Sequence, residues 1–266
     1  MKLTVLVDNN TYIDEYYYGE PAVSYYIEDE DTKILFDTGY SDVYIKNAEK
    51  MNIDLSNIDK IVISHGHDDH TGGLKYFNSN VELISHPVFF EHKEDEKGLY
   101  IGSPLSLEQL NSKYNLNLSR TPNKISDNIF YLGEIPTIFD FEKRETIGNT
   151  IVDGLKEEDN VIDDSAIVYK SDNGIFIITG CSHSGICNII EYAKKVTNDT
   201  RVLGVIGGFH LFDIDDRLKY TIKYFKDNNI KLLYPCHCVS LKAKIEMAKE
   251  LDINEVGVGL QINIWL

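Results

Sequence analysis

The chain has 266 residues, 42% of them hydrophobic, which is enough apolar material for a full core. Its 43 acidic residues against 26 Lys and Arg give a formal net charge of −17. A surface this acidic repels nucleic-acid phosphates and anionic membranes, so we expect neither as a partner. We expect a small-molecule substrate instead. The length favours one domain spanning residues 1–266.

The N-terminal residues 1–8 form an apolar run too short for a signal peptide, and the sequence has no run of about 18 apolar residues. We therefore expect a cytoplasmic protein. The four cysteines agree with this placement, since each lies close to a histidine in the sequence. This arrangement indicates reduced thiols near a metal rather than a disulfide framework. The four are Cys181, Cys187, Cys236 and Cys238.

Apolar runs bounded by polar turns predict the regular structure of the first 85 residues. Strands are expected at residues 3–7, 22–27, 33–36, 58–63 and 81–85. One helix is expected from Ser41, as its cap, to about Met51, and another from Thr71.

Two later segments, residues 91–124 and 140–160, lose this periodicity and are predicted to be irregular, apart from a helix over 106–114. Long irregular segments in a compact domain often cover a site, so we interpret both as lids or inserts around a substrate pocket. From residue 165 onwards, strands alternate with helices. Strands are predicted at 165–169, 175–178, 202–206 and 231–234, with a final pair near 256 and 262, and helices at 185–195, 216–227 and 241–251.

The main chemical signal is the run His65-Gly66-His67-Asp68-Asp69-His70, which directly follows a predicted strand. A tight loop at a strand end can direct several side chains to one point. His65 and His67 could bind one metal ion, while Asp69 and His70 reach a second. Imidazole and carboxylate are ligands for zinc, iron and manganese. A polar surface loop is the alternative, but three His and two Asp within six residues favour a metal site.

Residues 62–73, which contain this run, resemble the signature of the metallo-β-lactamase superfamily, and residues 34–39 resemble its second motif. The resemblance implies an α+β fold, a four-layered αββα sandwich of two mixed sheets flanked by helices. It also implies that Asp37 orients the metal-binding loop from behind the ligands.

Three later motifs, at residues 178–186, 206–211 and 234–238, narrow this resemblance. Together they are similar to a subgroup that includes the archaeal dihydropterin–ribofuranosylaminobenzene phosphate synthase. Other members of the subgroup are known as metal-dependent hydrolases. The resemblance therefore leaves two reaction types open, hydrolysis and group transfer.

The resemblance implies two divalent metal ions, with zinc expected and iron or manganese as alternatives. The first ion would be bound by His65, His67 and His183, and the second by Asp69, His70 and His237. Asp69 could also direct the attacking hydroxide. His210 is a further candidate, as a substrate-side acid, an extra ligand or a structural hydrogen-bond donor.

Cys181 departs from the superfamily pattern, since many members place a metal-bridging Asp at this position. Its thiolate could bind zinc or iron, but a buried neutral thiol is also common. Asp163 or Asp164 could approach the site instead. The number of metal ions, one or two, is left open by this substitution.

The implied chemistry is hydrolysis of a small ester, lactone or phosphoester by a metal-bound hydroxide. A transferase similar to the pterin-joining enzyme and an iron–thiol redox protein are the alternatives. The transferase would need cations for a phosphate, and only Lys75 and Arg144 are candidates near the motifs. The net charge of −17 is evidence against a nuclease.

Overall fold

The computed structural model describes residues 1–77, 80–152 and 154–264, and these contain sixteen strands and six α-helices. The strands are β1 (Lys2–Val7), β2 (Ser24–Asp29), β3 (Thr32–Phe36), β4 (Lys60–Val62), β5 (Glu82–Ser85), β6 (His92–Glu94), β7 (Asn115–Leu118), β8 (Asn123–Lys124), β9 (Ile129–Tyr131), β10 (Asn149–Val152), β11 (Leu155–Glu158), β12 (Ala166–Ser171), β13 (Gly174–Thr179), β14 (Val202–Gly207), β15 (Leu232–Pro235) and β16 (Gln261–Asn263). The helices are α1 (Val43–Lys50), α2 (Asp68–Thr71), α3 (Leu107–Lys113), α4 (Ile186–Thr197), α5 (Asp216–Asp227) and α6 (Leu241–Met247).

The strands form two large mixed sheets and one small sheet. The first large sheet has the order β16-β1-β2-β3-β4-β5-β7, antiparallel from β16 to β3 and parallel from β3 to β7. The second has the order β15-β14-β13-β12-β9-β8, in which β13, β14 and β15 are parallel. The small sheet consists of β11, β10 and β6.

Alternating side chains along each central strand bury both faces of the large sheets. In β13, Phe176 and Ile178 face the first sheet, where they join a core that includes Phe36. Ile175 and Ile177 face the opposite way, into a core with Ile189, Phe225 and Met247 of helices α4, α5 and α6. This strand is therefore buried on both sides.

The first sheet is covered in the same way on its outer face. Tyr44 and Ala48 of α1 and Leu110 of α3 pack there with Leu6 and Leu35. Helices thus lie outside two sheets that pack face to face. This arrangement confirms the predicted four-layered αββα sandwich.

Several element boundaries differ from the sequence prediction. The helix expected from Thr71 begins at Asp68, inside the histidine motif, and continues as a 3-10 turn over Gly72–Lys75. The carboxylates of Asp68 and Asp69 suit the positive end of a helix dipole, which explains the earlier start. Helix α6 ends at Met247, and no strand forms near Val256 in the described chain.

Residues 91–124 and 140–160 were predicted to be irregular, and this prediction is wrong. Besides helix α3, which was predicted, the first segment contains β6, β7 and β8, and the second contains β10 and β11. Strands β6, β10 and β11 pair with one another as the small sheet. The side chains of β10 are half-buried and those of β11 exposed, so neither strand has the polar–apolar alternation that sequence analysis needs. Their role as lids stays a prediction.

Within the described residues, none of the helices combines the length and the apolar character needed to cross a membrane.

Phe176→Ala tests the core between the two sheets. Phe176 is fully buried, so we expect a loss of about 3–5 kcal/mol in the free energy of unfolding. Phe212→Ala is the matched control, because this residue is 46% exposed and the loss of its ring should change stability by about 0.5 kcal/mol or less. Urea denaturation followed by circular dichroism measures both. Equal losses in the two variants would contradict the packing described here.

Candidate metal centre

The candidate metal-binding loop, residues 65–70, follows β4 and is fixed by backbone hydrogen bonds on both sides. The Gly66 N–H donates to Asp163 Oδ2 at 2.7 Å, and the Asp68 N–H donates to the Ile101 carbonyl at 2.8 Å. A Cβ atom on Gly66 would lie 1.9 Å from the Phe89 carbonyl oxygen. Only glycine fits at this position.

Three histidines form the first group of candidate ligands. The ligand atoms of His65, His67 and His183 all lie within 4.8 Å of one another, and all three side chains are buried. Among the described residues, His67 Nε2 and His183 Nε2 have no hydrogen-bond partner. Burial together with neighbouring imidazoles holds the pKa of His65 and of His183 well below that of an ordinary histidine. The imidazoles are therefore neutral, the form that binds a metal.

The second group consists of Asp69, His70, Cys181 and His237, whose ligand atoms also lie within 4.8 Å of one another. Cys181 Sγ is 3.2 Å from His70 Nε2 and 3.2 Å from His237 Nε2. Asp69 Oδ2 is 3.2 Å from His237 Nε2. The thiol therefore stands among the candidate ligands, where the sequence left its role open.

The two groups fit divalent cations by the chemistry of their donors. The first offers three imidazole nitrogens, and the second offers a carboxylate, a thiol and two imidazoles. The unpartnered nitrogens of His67 and His183 would be costly to bury without a ligand. Sequence analysis predicted six ligands and Cys181, and the structure brings all seven to one place.

Asp37 connects this loop to the first sheet. Its carboxylate accepts hydrogen bonds from the Ser64 N–H and the Ser64 hydroxyl, both at 2.7 Å, and contacts His70 Nδ1 at 2.7 Å. The hydrogen bond at Nδ1 leaves His70 Nε2 directed at the second group. Asp37 is thus placed where the sequence predicted it, behind the ligands.

The more distant histidines follow three neighbouring parallel strands. His183 comes after β13, His210 after β14 and His237 after β15, so they meet at one edge of the second sheet. His210 and His237 have positive φ angles of 50°, an unfavourable conformation that often marks functional sites.

His237 is oriented by residues that the sequence analysis missed. Its N–H donates to Asp8 Oδ2 at 3.0 Å, and its Nδ1 lies 3.1 Å from Asn9 Oδ1. Asp8 and Asn9 immediately follow β1. Two polar residues directly after an apolar strand were a signal that could have identified them.

The sequence left Asp163 and Asp164 as alternatives to Cys181, but both carboxylates accept hydrogen bonds away from the two ligand groups. Asp164 accepts from the Ser184 N–H and hydroxyl. Asp163 accepts from Gly66 and forms an ion pair with Lys93, with the Nζ and Oδ1 atoms 3.0 Å apart. Each therefore supports a ligand-bearing loop and lies outside the two ligand groups.

Lys93 was not singled out in the sequence. It is 2% exposed and also contacts Asp159 Oδ2 at 2.9 Å. Burial lowers the pKa of Lys93, but the carboxylates of Asp163 and Asp159 outweigh it and raise the pKa overall. The charged ammonium thus links the small sheet to the metal-binding loop through Asp163.

A pocket of ≈ 530 Å³ opens beside both ligand groups. His210 lines it, with its ring centroid 4.4 Å from that of His183, and its Nδ1 has no hydrogen-bond partner within the part of the chain that the structure describes. Ile101 and Ile147 line it from the two segments predicted as lids. The other lining residues are Asn9, Pro21, Tyr40, His67, Asp68, Asp69, Cys181, His183, Phe212, His237 and Cys238.

The four cysteines are free, but only two of them lie at the pocket. Cys238 Sγ lies 3.4 Å from the Cys181 carbonyl oxygen. Cys236 contacts the Tyr25 hydroxyl between the sheets, and Cys187 lies in the core beneath the second sheet. The sequence predicted that all four thiols lie near a metal, and this prediction is wrong for Cys187 and Cys236. The geometry of the helix and of the strand directs these two side chains into the core.

Lys93→Met tests the buried ion pairs beneath the loop. The substitution leaves Asp159 and Asp163 buried without their cation, so we expect a loss of about 3–5 kcal/mol in the free energy of unfolding. Lys156→Met is the control, since the exposed Lys156 pairs with Glu94 on the same small sheet and should contribute about 1 kcal/mol or less. Guanidinium denaturation measures both. A loss below about 1 kcal/mol in Lys93→Met would contradict this account.

Comparison with known proteins places this geometry in a family. Residues 17–237 match the model of the metallo-beta-lactamase superfamily. An uncharacterized protein of Methanocaldococcus jannaschii is 34% identical, covering 98% of this chain and 100% of that protein. The 7,8-dihydropterin-6-methyl-4-(beta-D-ribofuranosyl)-aminobenzene-5'-phosphate synthase of the same organism is 33% identical, covering 97% of this chain and 95% of that protein.

Solved structures agree with the sequence comparison. Tm1679, described as a metal-dependent hydrolase of the beta-lactamase superfamily, has a TM-score of 0.86 at 29% identity, and each chain is covered to 99%. A diphosphatase from the PhnP family has a TM-score of 0.58 at 15% identity, covering 100% of this chain and 98% of that one, and shows the shared fold. This chain belongs to the metallo-β-lactamase superfamily of enzymes.

Proposed function

We propose that this protein is a dinuclear metallohydrolase acting on a small ester, lactone or phosphoester. The observation that carries the proposal is the placement of two adjacent ligand groups at one pocket of ≈ 530 Å³. A pocket of this size suits a small molecule, which is the substrate class that we propose.

The proposed ligands are His65, His67 and His183 for one cation, and Asp69, His70, Cys181 and His237 for the other. Two divalent cations held there would activate a water molecule and polarise the scissile carbonyl or phosphoryl oxygen. A thiol among the ligands favours zinc or iron over manganese, because manganese prefers oxygen ligands. We propose zinc, with iron as the alternative that the same ligands allow.

The remaining roles belong to side chains that line the pocket. Asp69 has its carboxylate at the second ligand group, where it can orient the attacking water. His210 lies beside His183 and faces the pocket, so it can donate a proton to the departing oxygen. Asp37 and Asp8 hold His70 and His237 in position through the hydrogen bonds described above.

His210→Gln tests the acid role. We expect kcat to fall by about 10²–10⁴-fold because general acid catalysis is lost, while the metal content stays unchanged. The substrate panel comprises carboxylic esters, lactones and phosphodiesters, with acid release followed by pH-stat on zinc-reconstituted protein. His92→Gln is the control, since this histidine is half-exposed on β6 and outside the pocket. Unchanged kcat would remove His210 from the mechanism, and loss of metal would make it a ligand.

A transferase is the second candidate, favoured by the 33% identity to a protein named as a synthase. Such an enzyme would pass the group to an acceptor molecule instead of water, so it would release no acid from an ester. An iron–thiol redox protein is the third, favoured by the position of Cys181 among the ligands. Bound iron with redox-dependent absorbance would support it over hydrolysis.

A further inference from the structure

Four of the side chains that line the pocket are aromatic or aliphatic, and we call them its apolar wall: Tyr40, Ile101, Ile147 and Phe212. These residues come from four separate parts of the chain, after β3, after β6, before β10 and after β14. Tyr40 is 52% exposed and Phe212 is 46% exposed. Exposed apolar side chains that converge on one pocket are typical of a ligand-binding surface.

The apolar wall begins directly beside the proposed acid. The ring centroids of Phe212 and His210 are 4.8 Å apart, with an interplanar angle of 80°. A substrate bound at the ligand groups would therefore extend its remaining part along Phe212. The chemistry of this remaining part of the substrate depends on the charged side chains that line the pocket.

No lysine or arginine lines the pocket in the chain as far as the structure describes it. The two cations that the sequence suggested for a phosphate lie elsewhere. The Lys75 ammonium is 5.0 Å from the centroid of the Tyr76 ring, and the Arg144 guanidinium donates to the carbonyls of Val161 and Ile135. The Asp68 carboxyl lines the same pocket. Among the described residues, an anionic group beside these apolar side chains would thus find no lysine or arginine to pair with.

We propose that the substrate is an uncharged carboxylic ester or lactone whose apolar group packs against Tyr40, Ile101, Ile147 and Phe212. This inference rests on the proposed function, which concerns the group of the substrate that reacts at the metal centre. It adds the chemical class of the rest of the substrate. It disfavours substrates with a phosphate or carboxylate on that group, because burying an unpaired anion is costly.

A matched pair of hydroxamic acids tests the wall without turnover. Octanohydroxamic acid and suberic acid monohydroxamic acid share an eight-carbon chain and a metal-binding end, and only the second carries a terminal carboxylate. Binding to zinc-reconstituted protein is measured by isothermal titration calorimetry. We expect the neutral probe to bind at least about tenfold more tightly, and each methylene removed from it to cost about fourfold in affinity.

Phe212→Lys should weaken the neutral probe and tighten the carboxylate probe, reducing or reversing the preference. Tyr220→Lys is the matched control, since this half-exposed aromatic residue lies on α5 outside the pocket, and the preference should persist. Equal affinities in the wild type, no binding of the neutral probe, or no response to Phe212→Lys would overturn the proposal. These results are independent of hydrolysis. Failure of the proposed function would instead appear as no acid release from any ester while the neutral probe is still preferred.

Discussion

The buried carboxylate of Asp37 is the interaction on which the rest of the site depends. It binds the backbone and hydroxyl of Ser64 at the start of the metal-binding loop and the Nδ1 of His70 at its end. A Cβ atom on Gly180 would lie 3.0 Å from Asp37 Oδ2 and 2.3 Å from Ser64 Oγ. The close approach of the two sheets at this point therefore requires glycine. The Asp37 carboxylate thus fixes the conformation of the loop, and it lies where the second sheet packs against that loop.

The αββα fold explains why the two ligand groups meet. The first sheet delivers His65 to His70 through the loop after β4, and the second delivers His183 and His237 at the ends of parallel strands. Each group combines ligands from both sheets, so neither forms until the sheets pack. The apolar core between the sheets is therefore part of what positions the site.

The run of histidines after β4 is a local signal, so the sequence alone indicated a candidate metal site there. His183 and His237 were assigned as candidate ligands by the family resemblance, and the structure places both after apolar strands at one edge of the second sheet. The small sheet was missed because β10 and β11 bury little. The Lys93 ion pairs were missed because they join residues 66 and 70 positions apart, which no periodicity reveals. The apolar wall was missed for the same reason, since four segments contribute to it.

The central claim is that the chain holds two metal ions in two separate ligand groups. Elemental analysis of zinc-reconstituted protein tests it most directly, with wild type beside His183→Ala and His237→Ala, each of which removes one ligand from one group. The account predicts about two ions per wild-type chain and about one in each variant. A wild type that binds no divalent metal even after supplementation, or variants that both retain two ions, would contradict it.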